Sequence, residues 1–322
     1  MTLRRSHGIS LAICALAAPL LLASCGGRVH AASGLKPFEV LRFPGKHSNG
    51  TLSVAIASGA VVSSGGDGTT RIWDAQTGRE TRRFTGPDFR FRSIVFAPDG
   101  RHVLTSAEET AVRYWTLDGS ETRDFGNTAA FARSAALSAD GTLAAAAIGE
   151  TVHVWDVAGK SAYDLPAKSK VVSAAFAAPG HDVLSIETGG RLCRWPENGE
   201  PVCFSTGAGE ISRAAFSADG CFALIGTRFG GLQFWRLADQ SPIDGFDELG
   251  AVAVSLALSS DGSLALVGCA DKTLRLWNMR TGRQVSETRG TGSYISSVAF
   301  SPDDSYAVFG SDDGEVALWR LR

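Results

Sequence analysis

The histidines, cysteines and paired acidic residues are the side chains of this sequence that could bind a metal or act as catalysts. The histidines are His7, His30, His47, His102, His153 and His181. No two of them stand at a spacing typical of metal ligands, and no Cys-x-x-Cys pair occurs. The sequence has no Gly-x-Ser-x-Gly motif, no phosphate-binding loop and no haem-attachment motif. Acidic pairs such as Asp312 and Asp313 fall in predicted turns, where solvated charge is the simpler interpretation. We therefore predict no metal site, no cofactor and no enzymatic activity.

Two of the cysteines could form a disulfide. Cys193 and Cys203 flank the short segment PENGEP (196–201), which predicts a tight connection between two antiparallel strands. The two thiols would then face each other across the strands, either as a disulfide or as two small buried side chains. Cys221 begins one predicted strand and Cys269 ends another, so we expect these two to stay unpaired.

Length and charge limit the classes of function. The chain has 322 residues, 44% of them hydrophobic, and a formal net charge of −2. This composition can bury a large core and is not that of a disordered chain. Binding to nucleic acid usually needs a marked basic excess to neutralise phosphates, so we expect no nucleic-acid partner.

The N-terminal segment has the pattern of an export signal. Arg4 and Arg5 precede an apolar run of about 15 residues, which is shorter than the roughly 20 residues of a membrane span. The run ends in LASC (22–25), which resembles the lipobox of bacterial lipoproteins. The resemblance implies a signal peptide over 1–24, a diacylglycerol on the Cys25 thiol and a flexible tether over 25–36. The protein would then be exported and held by lipid in the bacterial cell envelope, on its periplasmic face or on the cell surface. The alternative is an ordinary cleaved signal with an incidental cysteine.

The seven tryptophans reveal an internal repeat. They are Trp73, Trp115, Trp155, Trp195, Trp235, Trp277 and Trp319, at spacings of 42, 40, 40, 40, 42 and 42 residues. A turn such as APDG (97–100) or SADG (217–220) precedes each tryptophan from the second onward by about 16 residues, with a short apolar strand before and after it. Four short strands in each period of 40–45 residues are typical of a propeller blade. The sequence therefore predicts an all-β fold, a seven-bladed β-propeller with four antiparallel strands per blade.

These repeats resemble the WD-repeat β-propeller family, and the resemblance covers residues 37–322. In that family a turn aspartate bonds with a histidine, a serine or threonine and the tryptophan of the same blade. The resemblance implies this hydrogen-bond network for His47, Ser63, Asp67 and Trp73 in the first blade. Blades six and seven keep Asp271 and Asp313 but have no matching histidine, and blades two to five lack the aspartate. The last repeat has no fourth strand, so the spare strand PFEVLRF (37–43) is predicted to complete the last blade and close the ring.

One face of such a ring offers a candidate surface for a protein partner. The resemblance places on it aromatic and arginine side chains, the types enriched at binding hot spots, namely Phe89, Arg90, Arg92, Phe131, Arg133, Arg228, Phe229 and Tyr294. The alternative is that the aromatics belong to the core and that the arginines are solvated. Serine begins the innermost strand of six blades, at Ser53, Ser93, Ser134, Ser173, Ser255 and Ser297, with Arg213 in the remaining blade. These side chains form either an axial ligand site or hydrogen bonds to backbone groups and channel water.

The sequence is consistent with two functions that belong to different classes. The first is a non-enzymatic, monomeric scaffold that is anchored to the membrane by lipid and binds an unidentified protein partner. The second is a propeller that binds a small ligand, or carries an enzymatic site, at the mouth of the axial channel. The step from fold to either function is one of analogy.

Overall fold

The computed structural model describes residues 37–86, 89–107, 112–125, 132–159, 162–244, 249–290 and 292–321. These residues form 28 strands and no α-helix. The strands are β1 (Val40–Arg42), β2 (Thr51–Ala57), β3 (Ala60–Gly65), β4 (Thr69–Asp74), β5 (Glu80–Thr85), β6 (Phe91–Phe96), β7 (His102–Ala107), β8 (Arg113–Thr116), β9 (Thr122–Asp124), β10 (Ala132–Leu137), β11 (Leu143–Ile148), β12 (Thr151–Asp156), β13 (Ala162–Pro166), β14 (Val171–Ala177), β15 (Asp182–Glu187), β16 (Arg191–Trp195), β17 (Val202–Ser205), β18 (Ile211–Phe216), β19 (Phe222–Thr227), β20 (Leu232–Arg236), β21 (Ser241–Ile243), β22 (Ala253–Leu258), β23 (Leu264–Cys269), β24 (Thr273–Asn278), β25 (Arg283–Arg289), β26 (Ile295–Phe300), β27 (Tyr306–Ser311) and β28 (Val316–Arg320).

The described strands pair into seven antiparallel sheets of four strands each, which are the blades of a propeller. Blades 1 to 6 are β2–β5, β6–β9, β10–β13, β14–β17, β18–β21 and β22–β25. Blade 7 combines β26, β27 and β28 with β1 from the start of the chain. The seven-bladed, all-β architecture that the tryptophan spacing predicted is confirmed.

The burial of a strand depends on its position within the blade. The second strand, as in β11 with its sequence LAAAAI, is buried along nearly its whole length because it packs against neighbouring blades on both faces. The outermost strand, as in β9, is exposed. The cores lie between adjacent blades, where the repeated tryptophans are among the largest buried side chains. Trp73, Trp277 and Trp319 are at most 1% exposed.

The ring is closed by pairing between its first and last strands. Val40, Leu41 and Arg42 of β1 lie opposite Trp319, Leu318 and Ala317 of β28. The Phe43 N–H donates to the Val316 carbonyl at 3.0 Å, which continues the ladder beyond β1. The Arg42 guanidinium also pairs with the buried carboxylate of Glu315. The spare N-terminal strand therefore completes the last blade, as the sequence predicted, and covers an edge that would otherwise be open.

The two faces of the ring carry different loops. The innermost strand of each blade begins on the face that we call the upper face. Because the strands are antiparallel, the turn between the second and third strands lies there too, as the pairing of Thr51 with Gly65 and of Ser64 with Thr70 shows in blade 1. The lower face carries the turn between the first and second strands of each blade. In blades 1 to 6 it also carries the turn between the third and fourth strands, such as the segment with Arg79 between β4 and β5. Every side chain of the predicted partner surface that the structure describes belongs to the upper face.

Candidate functional site

The four residues of the predicted network meet in blade 1. Ser63 on β3 lies between two rings, because its Oγ is 2.8 Å from Nε2 of His47 and 2.8 Å from Nε1 of Trp73. Nδ1 of His47 is 3.2 Å from the Asp67 carboxylate and 2.9 Å from the hydroxyl of Thr69. An ionised carboxylate can only accept hydrogen bonds, so the proton of the His47 ring is on Nδ1, which donates to Asp67. Nε2 of His47 therefore accepts a hydrogen bond from the Ser63 hydroxyl. The Trp73 N–H in turn donates to Ser63.

The carboxylate of Asp67 ties the loop that enters blade 1 to the turn between β3 and β4. It accepts hydrogen bonds from the Ser48 N–H at 2.9 Å, from the Thr69 N–H at 3.0 Å and from the Thr69 hydroxyl at 2.7 Å. The His47 side chain is fully buried and that of Asp67 is 10% exposed. An enclosed, fully bonded set of this kind stabilises a turn and leaves no open position for a substrate.

Burial controls the protonation of this network. Burial lowers the pKa of His47 from 6.5 to about 4, although the nearby Asp67 carboxylate acts in the opposite direction. Burial on its own would raise the pKa of Asp67, but hydrogen bonds from Thr69 and Ser48 lower it to about 2. At neutral pH the pair is therefore a neutral imidazole beside an ionised carboxylate.

The shifted His47 pKa predicts a loss of stability in mild acid. Between pH 6.5 and about 4 the unfolded chain binds a proton at His47 and the folded chain does not, so stability falls as the pH is lowered through this window. The full window corresponds to about 3 kcal/mol, at about 1.4 kcal/mol per pKa unit. Urea unfolding between about pH 7 and pH 5 measures the slope. The variant His47→Gln should show a shallower slope than the wild type, and equal slopes would contradict the prediction.

The other tryptophans use different partners for the indole N–H. The residue ten positions earlier accepts it in two further blades, where Trp115 donates to Thr105 at 3.1 Å and Trp195 to Ser185 at 2.8 Å. Trp235 donates to Gln233 and Trp319 to the carbonyl of Phe38. The buried Nε1 of Trp277 has no hydrogen-bond partner among the described residues. The residue ten positions before it is Val267, which offers no acceptor.

We expect the substitution Val267→Thr to stabilise the protein by about 1 kcal/mol. The new hydroxyl would stand where Thr105 stands beside Trp115, and it would satisfy a buried donor that now costs free energy. The matched control is Val308→Thr in β27, a fully buried valine that is not in the equivalent position. It should lose about 1 kcal/mol or more because a hydroxyl is buried there without that donor. Urea unfolding of both variants would reveal opposite signs. A loss of stability for Val267→Thr would contradict the prediction.

The structure divides the predicted partner surface into parts with different surroundings. Phe89 stacks on Phe84 at 5.6 Å between ring centroids and packs edge-on against Phe91 and Trp115, so it belongs largely to the core between blades 1 and 2. Phe131 lies outside the described residues, as do Cys25 and the tether. The side chain of Arg90 is exposed.

The turn between β19 and β20 projects from the rim of the upper face. Phe229 in this turn is 86% exposed, more than any other large hydrophobic side chain among the described residues. Its neighbour Arg228 forms an exposed ion pair with Glu210 at 3.2 Å. These two residues are therefore presented to solvent, and no core packing accounts for the aromatic ring.

Arg92, Arg133 and Tyr294 lie elsewhere, at the mouth of the axial channel. They line one cavity of about 610 Å³ together with Arg213, Asp312 and the beginnings of the innermost strands. The Tyr294 hydroxyl donates to Asp312 at 2.8 Å. Sequence reasoning had assigned Arg213 to the serine ring and the other two arginines to the partner surface. It did not foresee that all three line the same cavity.

The serines of the ring link neighbouring blades. The Ala135 N–H donates to Ser93 at 3.2 Å, the Ala174 N–H to Ser134 at 3.0 Å and the Val54 N–H to Ser297 at 3.1 Å. The Ser255 hydroxyl donates to the Ile295 carbonyl at 3.1 Å. These contacts match the structural interpretation of the hydroxyls, which is hydrogen bonding to backbone groups.

The remaining candidate residues form no reactive centre in the described part of the chain. Cys193 and Cys203 lie opposite each other on β16 and β17 and are joined by a disulfide. Cys221 is exposed and Cys269 is buried, and neither belongs to this disulfide. Within the described ranges no three His, Cys, Asp or Glu side chains stand close enough together to hold a metal ion. The same ranges contain no helix of the length and hydrophobicity that crossing a membrane requires.

The fold is a seven-bladed β-propeller. Seven antiparallel sheets of four strands surround an axial channel, and the pairing of β1 with β28 closes the ring. The WD domain, G-beta repeat model (WD40) matches residues 40–74, 249–278 and 282–320. Each matched segment contains one of the three turn aspartates, Asp67, Asp271 and Asp313. The chain is therefore a β-propeller with WD40 repeats, in which blades 2 to 5 depart most from the repeat pattern.

Curated relatives are distant and much longer than the matched segments. The chain is 34% identical over 80 residues to "Nuclear distribution protein PAC1-2" of Uncinocarpus reesii, which covers 25% of this chain and 17% of the relative. It is 31% identical over 128 residues to "Small ribosomal subunit protein RACK1y" of Oryza sativa subsp. japonica, covering 36% and 38%. It is 26% identical over 137 residues to "Autophagy-related protein 16" of Arabidopsis thaliana, covering 40% and 27%. The chain thus spans less than two fifths of the length of each of these relatives.

Proposed function

We propose that this protein is a non-enzymatic scaffold of the bacterial cell envelope, which binds a protein partner on its upper face and is held at a membrane by lipid on Cys25. WD40 propellers generally bind protein partners, and that general property is the starting point. The observation that supports a partner on this face is the exposed turn with Arg228 and Phe229. An aromatic ring that is 86% exposed beside an arginine has the composition of a binding hot spot.

Site-specific photocrosslinking in intact cells would test the partner surface. A photoreactive phenylalanine analogue at Phe229 should produce one discrete crosslinked protein, which mass spectrometry then identifies. The same analogue at Val202, which is 54% exposed on the outermost strand of blade 4, is the matched control and should give no such product. Arg228→Glu should weaken the Phe229 crosslink strongly, because the hot-spot charge is reversed. Equal labelling from both positions, or none from Phe229, would contradict a partner on this face.

The anchor is a separate part of the proposal and rests on the sequence of residues 1–36. The apolar run that ends in LASC supports it, and lipid chains supply the physical means, since each buried CH₂ contributes about 0.8 kcal/mol to membrane binding. Two chains or more give stable attachment. Mass spectrometry should find a mature N-terminus at Cys25 with diacylglycerol attached. Cys25→Ser should move the protein from the membrane fraction to the supernatant, and an unmodified Cys25 in a protein recovered from the supernatant would refute the anchor.

A further inference from the structure

One histidine on the lower face lies between two neighbouring blades. His181 belongs to the turn between β14 and β15 in blade 4, and its side chain is 27% exposed. Its Nε2 is 3.0 Å from a carboxylate oxygen of Asp140, which lies in the turn between β10 and β11 of blade 3. Its Nδ1 is 3.4 Å from a carboxylate oxygen of Glu197, in the connection between β16 and β17 of blade 4. The ring therefore has a carboxylate at each nitrogen, one from each blade.

The carboxylate of Asp140 is held in place by its own turn. One of its oxygens accepts hydrogen bonds from the Ser138 hydroxyl at 2.6 Å, from the Thr142 N–H at 3.0 Å and from the Thr142 hydroxyl at 2.8 Å. The other oxygen is the one that faces His181. Partial burial would raise the pKa of Asp140, but the hydrogen bonds from Ser138 and Thr142 lower it. At neutral pH an ionised carboxylate of blade 3 therefore points at the ring.

The connection that carries Glu197 is fixed as well. The Glu197 N–H donates to one oxygen of Asp182 at 3.1 Å, and the other oxygen of Asp182 pairs with Arg194 at 2.8 Å. Partial burial and the nearby Glu197 charge raise the pKa of Tyr163 on β13 of blade 3, so the phenol stays neutral. Among the described residues, the charges that act on the His181 ring are those of Glu197 and of Asp140.

This geometry favours one protonation state of His181. A neutral imidazole carries a single N–H, so one of its nitrogens would direct a lone pair at a carboxylate. The imidazolium donates from both nitrogens and satisfies both carboxylates. The hydrogen bond with Asp140 accordingly raises the pKa of His181, burial opposes the rise, and Glu197 adds to it. The charged ring is therefore the form that joins the two blades.

We propose that His181, with Asp140 and Glu197, forms a pH-dependent link between blades 3 and 4 at the lower rim of the propeller. The link is fully formed below pH 6.5, the ordinary pKa of the side chain, and is lost as the pH rises through the higher pKa of the folded protein. Histidine is the side chain whose charge changes in this range, so a small change of pH near neutrality loosens or restores the contact. The link depends neither on a partner at Phe229 nor on lipid at Cys25.

His102 offers a matched control because both of its carboxylates come from one blade. Its Nδ1 is 2.5 Å from Asp99 and its Nε2 is 3.7 Å from Glu121, and all three residues belong to blade 2. Protonation of His102 therefore joins no two blades through these carboxylates. Replacing it should leave the contact between blades 3 and 4 unchanged.

Hydrogen exchange of the full-length protein in detergent would measure the link locally. The turn over residues 138–142 carries bonded amides, since the Gly141 N–H donates to the Ser138 carbonyl. Corrected for the intrinsic effect of pH on exchange, the protection of this turn should be about threefold greater at pH 6 than at pH 8, which is typical of an exposed ion pair. In His181→Gln it should be equal at the two pH values, and His102→Gln should behave as the wild type. The acid sensitivity that arises at His47 is common to all three proteins, so it does not account for a difference between them.

Nuclear magnetic resonance titration of the His181 ring gives a second readout that does not depend on stability. The pKa should lie above 6.5 in the wild type and fall toward 6.5 in Asp140→Asn, because the partner of Nε2 then carries no charge. A wild-type pKa at or below 6.5 would overturn the proposal. So would protection of the turn that is the same at pH 6 and pH 8 in the wild type, or a pH dependence that persists in His181→Gln.

Discussion

Replacing Leu41 with proline is expected to open the ring and destabilise the protein by about 3–5 kcal/mol. The Phe43 N–H donates to the Val316 carbonyl, and hydrogen-bonded pairs alternate along an antiparallel ladder. Leu41 and Leu318, two residues further along, therefore exchange hydrogen bonds, and proline removes one donor from this pair. The loss combines an unmade bond at about 1–3 kcal/mol with the packing of a half-buried leucine.

The neighbouring substitution Val40→Pro is the matched control. Val40 belongs to a pair that is not hydrogen-bonded, and its N–H points away from β28 along the open side of the outermost strand. It should cost clearly less than Leu41→Pro. Urea unfolding and limited proteolysis measure both, with cleavage expected first in blade 7. If the two prolines had equal effects, ladder pairing by β1 would not be what closes the ring.

Replacing Ser63 with alanine is expected to cost about 3 kcal/mol or more. Ser63 is fully buried and its hydroxyl is shared by Nε2 of His47 and Nε1 of Trp73. Removing it leaves two buried polar groups without this partner, each at a cost of about 1–3 kcal/mol. Because His47 and Asp67 also hold the loop entering blade 1, proteolytic sensitivity near Ser48 should rise as well.

The substitution Ser185→Ala in blade 4 is the comparison. The Ser185 hydroxyl accepts from Trp195 at the same 2.8 Å distance, and that bond does not involve a histidine. It should cost about 1–3 kcal/mol, less than Ser63→Ala. Denaturant unfolding of both variants gives the difference. An equal or smaller effect at Ser63 would show that His47 contributes nothing through this hydroxyl.

Much of the fold could be predicted because each repeat is marked by residues that lie close together along the chain. The seven tryptophans set the number of blades, and the unmatched segment 37–43 indicated how the ring closes. The members of the first network were recognisable since the family pattern fixes His47, Ser63, Asp67 and Trp73 relative to one another. These features depend on spacing along the chain, which a single sequence displays in full.

The candidate site was harder to predict because it depends on which way side chains point. Phe89 and Phe229 are both aromatics next to arginines in the sequence, but Phe89 packs on Phe84 and Trp115 while Phe229 is exposed. Whether an aromatic in a loop is core or surface depends on the blade that lies against it. Sequence alone therefore placed them in one surface.

What the sequence by itself determined is the class of fold, the place of ring closure and the hydrogen-bond network of blade 1. What only the tertiary structure decided is that Arg92, Arg133 and Arg213 share one cavity. They are spread over about 120 residues of the chain and come from three different blades. The reason is that the innermost strands of all the blades surround one axis, and this axis exists only once all seven sheets have packed.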